Sequence, residues 1–382
     1  MPKSIPSIRV LAFAIRRRLQ RALGITINSS AATPPGLSLN PSDRHFSDYE
    51  QAPLKLRFAS VSHGDAVSWQ SIARSKLAEL SGHRREADPP AALHPADFPV
   101  AGGLTRRRLY LRPRAGVDIP VHLIAPTGHL PKQPVMICLQ GTNSGAHISW
   151  GETRVPDDAD KKAKGYDIAI QAAQRGYLAV AVEQSGFGER IERDPGLQSE
   201  GSRVDAAMRA FLLGRTLIGE RCSDISSVVD WLVDRQAALA IDPARIHIMG
   251  HSAGGTVAMY AAALDVRIAA VLACGCLGFI RETIGRRRDI QGQQVIPGIL
   301  NWMETADVVG LIAPRTFVTV AGETDHIWPA SAARNVVEEA KAIYSALGAA
   351  PHIDCVSASG GHFFRPELSW RTLDHVLAKV RR

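Results

Sequence analysis

The chain has 382 residues, of which 45% are hydrophobic and 21% charged, a balance typical of a globular protein with a large buried core. The formal net charge is +8, but the basic residues occur in short scattered groups, which favours a solvated surface over a nucleic-acid partner. The five cysteines lie mainly in apolar runs and are expected to be buried thiols. We predict neither a metal site nor a cofactor.

Residues 1–65 are predicted to form an N-terminal extension. Residues 5–25 combine apolar side chains and arginines with helical spacing, which predicts a basic amphipathic helix with weak membrane-surface contact. A polar linker around residues 28–42 follows. No apolar run approaches the roughly 20 residues of a membrane-spanning helix, and the arginines follow the apolar residues, unlike those of a secretory signal. A cytoplasmic location is therefore expected.

Residues 66–100 are predicted to be a helical lead-in, since helical spacing over 67–80 is followed by a proline-rich interruption. Residues 101–382 are predicted to form the main domain, in which apolar runs alternate with helical periodicity. This alternation indicates an α/β fold with a mainly parallel sheet and helices on both faces. Eight strands are expected: Thr105 to Leu111, Asp118 to Ala125, Val135 to Gln140, Leu178 to Gln184, Arg245 to Met249, Ile268 to Cys274, Thr316 to Ala321 and Ile353 to Ala358.

A G-x-S-x-G motif lies between a predicted strand and a predicted helix. Its residues run from Gly250 to Gly254 with Ser252 at the centre, and this context is the one that a nucleophile turn requires. Small neighbours allow a tight turn that lifts the serine hydroxyl above the sheet at a helix N-terminus. Ser252 is therefore the predicted nucleophile, and the N–H of Ala253 a predicted oxyanion donor.

A serine nucleophile needs a base and an acid, which follow it along the chain in this motif. Asp325 and His362 each follow a late predicted strand, so they are expected to meet Ser252 at the carboxyl edge of the sheet. Glu323 remains an alternative acid, and His326 or His251 an alternative base.

A second oxyanion donor is expected from the loop after the third predicted strand, where the N–H of Thr142 is the candidate. The same loop lacks the Gly-Lys-Ser/Thr ending of a nucleotide-binding loop.

Six further segments of the chain add to these motifs: Gly186 to Arg190, Gly214 to Gly219, Pro297 to Leu300, Ile312 to Arg315, Gly322 to Asp325 and Tyr344 to Gly348. Together they resemble α/β-hydrolases of the acetyl xylan esterase and dienelactone hydrolase-like group. One departure is Gln140, which stands where this group usually has histidine before the oxyanion-loop glycine. The resemblance implies an α/β-hydrolase fold and a Ser-Asp-His site acting on acetyl or other short-acyl esters, including acylated carbohydrates.

The leading hypothesis is a serine-dependent carboxylic-ester hydrolase that works through an acyl-enzyme on a small-molecule ester. One alternative is a peptidase of the prolyl-oligopeptidase kind, although those enzymes carry a large propeller domain. A second alternative is a non-catalytic binding protein on a hydrolase fold, because a fold alone does not determine function. The sequence favours neither a monomer nor an oligomer.

Overall fold

The computed structural model describes residues 36–60, 66–100, 102–128, 132–194, 199–200, 203–286 and 292–380. The amphipathic helix predicted over residues 5–25 lies outside these ranges. Nine strands form the main sheet: β1 Ala91–Val100, β2 Leu104–Arg114, β3 Val117–Pro126, β4 Gln133–Leu139, β5 Leu178–Val182, β6 Ile241–His251, β7 Ile268–Cys274, β8 Thr316–Gly322 and β9 Ile353–Ala358. A short ribbon pairs Arg193–Asp194 with Ser199–Glu200.

The strand order in the main sheet is β1-β2-β3-β5-β4-β6-β7-β8-β9. The strands from β5 to β9 in this order run parallel to their neighbours, whereas β1, β2 and β3 form an antiparallel edge. The prediction of a mainly parallel sheet is confirmed. All carboxyl ends of the parallel strands therefore lie along one edge.

The predicted count of eight strands is wrong by one, because β1 lies in the segment predicted to be a helical lead-in. This strand contains Pro95 and Pro99 and buries none of its side chains fully. Among the strands that the structure describes, it pairs only with β2, with a register shift between Leu93 and Ala96. Proline is tolerated on an edge strand, because the N–H group that it lacks would not have bonded to a neighbouring strand. An exposed strand also has no run of apolar residues from which it could be predicted.

Ten helices connect and cover the strands within the described residues. The helical spacing over 67–80 is confirmed as α2, whereas the predicted linker around residues 28–42 overlaps the start of α1. The helices are α1 Pro41–Glu50, α2 Ala66–Ser81, α3 Pro156–Ala163, α4 Ile168–Gln174, α5 Arg203–Phe211, α6 Leu217–Asp234, α7 Ala253–Leu264, α8 Thr305–Gly310, α9 Ala330–Ala346 and α10 Pro366–Val380.

The core has two layers, one on each face of the sheet. Alternate residues of β4 show this division, since Val135 and Ile137 join one layer while Met136 and Cys138 join the other. The first layer packs against α2, α6, α7, α8 and α9, and the second packs against α4 and α10. No helix in the described part of the chain is long and apolar enough to cross a membrane.

Candidate active site

Ser252 occupies a tight turn between β6 and α7. Its backbone has φ 56° and ψ −121°, a strained conformation for a residue with a side chain. The flanking glycines allow the turn to close. A Cβ atom at Gly250 would lie 2.5 Å from the carbonyl oxygen of Gly254, and one at Gly254 would lie 2.5 Å from that of Gln140. The motif therefore has glycine where the backbone segments approach too closely for any side chain.

A hydrogen-bonded chain joins the three residues predicted from the sequence. The Oγ atom of Ser252 lies 2.9 Å from Nε2 of His362, and Nδ1 of the same ring lies 2.7 Å from Oδ2 of Asp325. Ser252 follows β6, Asp325 follows β8 and His362 follows β9, so three strand ends bring them together. In this arrangement a neutral imidazole can accept the serine proton while the carboxylate orients the ring.

Asp325 is almost fully buried, with 3% of its surface exposed. Burial alone would raise its pKa, but the hydrogen bond with His362 and the N–H groups of Trp328 and Ile327 outweigh that effect and lower it. The two backbone donors lie 2.9 and 2.8 Å from Oδ1. Asp325 is therefore held as a carboxylate whose other oxygen is directed at His362.

The alternative acid and bases do not join this chain. Glu323 is exposed and its Oε1 accepts a hydrogen bond from Arg334 at 3.1 Å. The ring of His326 lies 6.5 Å from that of His362. His251 is buried with its ring 4.8 Å from the same ring, and burial lowers its pKa well below the ordinary value. Of these candidates, Asp325 and His362 are the ones that share hydrogen bonds with each other and, through His362, with Ser252.

The loop after β4 runs close to the serine turn. A Cβ atom at Gly141 would lie 2.9 Å from the backbone oxygen of His251, so glycine is needed for this close approach. Thr142 lines the same cavity as Ser252. Ala253 is the first residue of α7, where backbone N–H groups have no partner within the helix. The two residues predicted to supply oxyanion donors therefore lie close to Ser252, Thr142 in the wall of the same cavity and Ala253 next to it in the chain.

Above Ser252 is a cavity of about 240 Å³, lined in part by Thr142 and His362. Five other residues in its wall were not predicted from the sequence, because they come from separated loops and helices with no shared motif. Two of them lie close to the predicted acid in the chain, which is the only signal the sequence offers for any of the five. The five are Lys161, Tyr166, Gln294, Ile327 and Trp328.

No group of three or more His, Cys, Asp or Glu side chains among the described residues is arranged to hold a metal ion. All five cysteines are free, and four of them are buried.

Comparisons with known proteins agree with this architecture. YtaP of Bacillus subtilis (strain 168), provisionally named a hydrolase, is 25% identical over 222 residues, which cover 57% of this chain and 70% of YtaP. A Bacteroides fragilis NCTC 9343 crystal structure, provisionally named an acetyl xylan esterase, superposes with a TM-score of 0.69 at 19% identity, covering 86% of this chain and 84% of that one.

A glucuronoyl esterase from Solibacter usitatus superposes with a TM-score of 0.60 at 18% identity, covering 86% of this chain and 96% of that one. These two likenesses confirm the predicted α/β-hydrolase fold. The model of the Abhydrolase family matches residues 51–343. This match spans most of the strands and the serine turn, and the chain belongs to the Abhydrolase family.

Proposed function

We propose that this chain is a serine-dependent carboxylic-ester hydrolase that forms an acyl-enzyme on Ser252. The observation that carries the proposal is the continuous chain of hydrogen bonds from Ser252 through His362 to Asp325 at the floor of a cavity. A serine at its ordinary pKa is a weak nucleophile, and a hydrogen-bonded imidazole removes its proton as the bond to carbon forms.

In the first half of the reaction, Oγ of Ser252 attacks the ester carbonyl carbon while Nε2 of His362 takes the hydroxyl proton. The N–H groups of Thr142 and Ala253 stabilise the oxyanion that develops. His362 then gives its proton to the departing alkoxide, so the alcohol leaves and the acyl group remains on Ser252. Asp325 stays ionised and stabilises the imidazolium.

In the second half, a water molecule takes the place of the alcohol. His362 accepts a proton from this water, which attacks the acyl carbon, and the tetrahedral intermediate collapses when Ser252 recovers its proton. The carboxylic acid is released and the free enzyme is restored. No cofactor enters either half of this scheme.

The proposed substrates are small esters with an acetyl or other short acyl group, including acylated carbohydrates. The cavity of about 240 Å³ suits a small acyl group. Likeness to proteins named acetyl xylan and glucuronoyl esterases supports a carbohydrate ester as the class to test first.

A panel of chromogenic esters with increasing acyl length, measured on wild type and Ser252→Ala, tests this function. We expect wild type to prefer the shortest acyl groups, and Ser252→Ala to lose activity by about 10³-fold or more because the covalent route is gone. Turnover of peptides without turnover of esters would favour the peptidase alternative. No turnover of either would favour a binding protein.

A further inference from the structure

Glu183 is a buried carboxylate that the proposed reaction scheme does not use. It follows the last residue of β5 and has only 2% of its surface exposed. Its Oε1 atom accepts two hydrogen bonds from the loop after β4, one from Nε2 of Gln140 and one from the N–H of Ala146, each 3.0 Å long. The carboxylate therefore joins the beginning and the end of this loop.

The segment between these two contacts contains Thr142, whose N–H is the proposed oxyanion donor. Gly141 lies against the backbone of His251, so the loop has little room to move closer to the serine turn. The carbonyl oxygen of Gln140 is also held, at 2.7 Å, by Nε2 of Gln184. A change at Glu183 would therefore be transmitted to the position of Thr142.

The surroundings of Glu183 are shaped for a side chain of this length. A Cβ atom at Gly145 would lie 3.1 Å from its Oε2, and one at Gly188 would lie 2.5 Å from its Cδ. Two glycines thus allow two backbone segments to close on the carboxylate, as expected of a residue that holds a loop in place.

We propose that Glu183 is a positioning residue that sets the oxyanion donor of Thr142 by fixing both ends of its loop. This inference rests on the proposed ester hydrolysis. The same inference explains the side chain of Gln140, which donates a hydrogen bond to Glu183 from the beginning of the loop after β4. A residue of this kind is expected to affect the transition state more than the binding of the ground-state ester.

Charged groups around Glu183 come from the neighbouring loops. Burial raises the pKa of Glu183 to about 7, although hydrogen bonds from the backbone N–H groups of Ala146 and Glu189 oppose the rise. The charge of Glu189 adds to the rise, and the charge of Arg154 opposes it. Arg190 donates to the backbone oxygen of Glu183, at 3.2 Å, and not to its carboxylate. Since both loop donors converge on Oε1, a glutamine at position 183 keeps their acceptor without needing a charge.

The test compares Glu183→Met with Glu183→Gln in the full chain, using a short-acyl ester. Glu183→Met removes the acceptor and should lower kcat by about tenfold or more, though by less than the 10²–10³ lost when an oxyanion donor is deleted. KM should change little. Glu183→Gln should recover most of the lost kcat. Glu189→Gln is a matched control, because the exposed side chain of Glu189 accepts a hydrogen bond from Tyr110 and does not contact the loop after β4.

A boronic acid, which forms a tetrahedral adduct with an active-site serine, gives a second readout. Its inhibition constant should rise in Glu183→Met in parallel with the loss of kcat, since both depend on the oxyanion donors. If Glu183→Met does not fold, as judged by its thermal midpoint, Gln140→Met serves as the second variant. It removes the hydrogen bond between Gln140 and Glu183, and it should likewise lower kcat while KM changes little.

Unchanged kcat in folded Glu183→Met, or equal losses in the methionine and glutamine variants, would overturn the inference. An active wild type with unaffected variants would contradict only the role of Glu183. A wild type without ester hydrolysis would instead remove the proposed function on which the inference depends.

Discussion

At the scale of single residues, the serine turn depends on the absence of a side chain at the two flanking glycines. Ser252 has a positive φ of 56°, and its turn closes only because Gly250 and Gly254 have no Cβ atom in the space that other backbone segments occupy. The strain is tolerated because β6 and α7 hold both sides of the turn. The same geometry directs the hydroxyl at His362.

Gly254→Ala should therefore destabilise the protein, because the added methyl group would overlap the backbone of β4 and its following loop. We expect a loss of about 1–3 kcal/mol or more in the free energy of unfolding, measured by denaturant titration. Gly361→Ala is the control, since its Cβ would meet only an ordinary contact, 3.7 Å from the backbone oxygen of Thr324. Equal losses in the two variants would contradict this account of the turn.

The choice between the two acids of the β8 loop is also a residue-scale question. Asp325→Asn should reduce kcat by roughly 10³–10⁴-fold, because an amide facing Nδ1 favours the wrong tautomer of His362. Glu323→Gln should have a small effect, since Glu323 is exposed and pairs with Arg334. Steady-state kinetics with one ester decides between them, and a larger loss in Glu323→Gln would reverse the assignment.

The sequence allowed these three residues to be predicted because each follows a strand in a parallel sheet. Strand ends are visible in the sequence as apolar runs, and they share one edge. By contrast, Gln294 and Tyr166 reach the cavity wall through tertiary packing of distant segments, for which no spacing rule exists. Glu183 was missed for a related reason, since its partners become evident only when the loop after β4 is seen beside it.

At the scale of secondary structure, buried elements were predicted and exposed ones were not. The strands β4, β5, β7 and β8 are buried along most of their length on both faces, which gives a continuous hydrophobic signal. The edge strand β1 has no buried face, and its prolines resemble a loop. The lead-in helix α2 was predicted because Trp69, Ala73 and Leu77 recur at helical spacing, and all three are buried in the core.

The packing of α2 makes a prediction about stability. Leu77 is completely buried, so Leu77→Ala should lower the free energy of unfolding by about 2–5 kcal/mol through lost contacts and a cavity. Ile72→Ala on the same helix is the matched control, because Ile72 is 58% exposed. Thermal or denaturant unfolding of both variants provides the measurement. A cost for Leu77→Ala no larger than the control's would show that α2 does not contribute to the core.

At the scale of the whole molecule, the predicted division of the chain is into residues 1–65, 66–100 and 101–382, and the proposed site residues lie in the last of these parts. Ser252, Asp325, His362, Thr142 and Ala253 all lie within residues 101–382. The family match nevertheless begins at residue 51, and α2 shares the core of the sheet. Cytoplasmic location and weak membrane contact through residues 5–25 remain predictions from the sequence.

Deleting residues 1–25 should leave kcat/KM for a soluble ester near the wild-type value, because none of the proposed site residues lies there. If the basic amphipathic helix binds membranes, the same deletion should reduce co-sedimentation with anionic vesicles. A collapse of activity in a deletion variant that is soluble and folded would show that this segment shapes the active site.

The central claim is a covalent acyl group on Ser252, and mass spectrometry of rapidly quenched enzyme tests it most directly. Enzyme mixed with a short-acyl ester should gain the mass of one acyl group, carried by the peptide that contains Ser252. The adduct should be absent from Ser252→Ala. An ester turned over without any adduct on this peptide, or an adduct on another residue that persists in Ser252→Ala, would contradict the account.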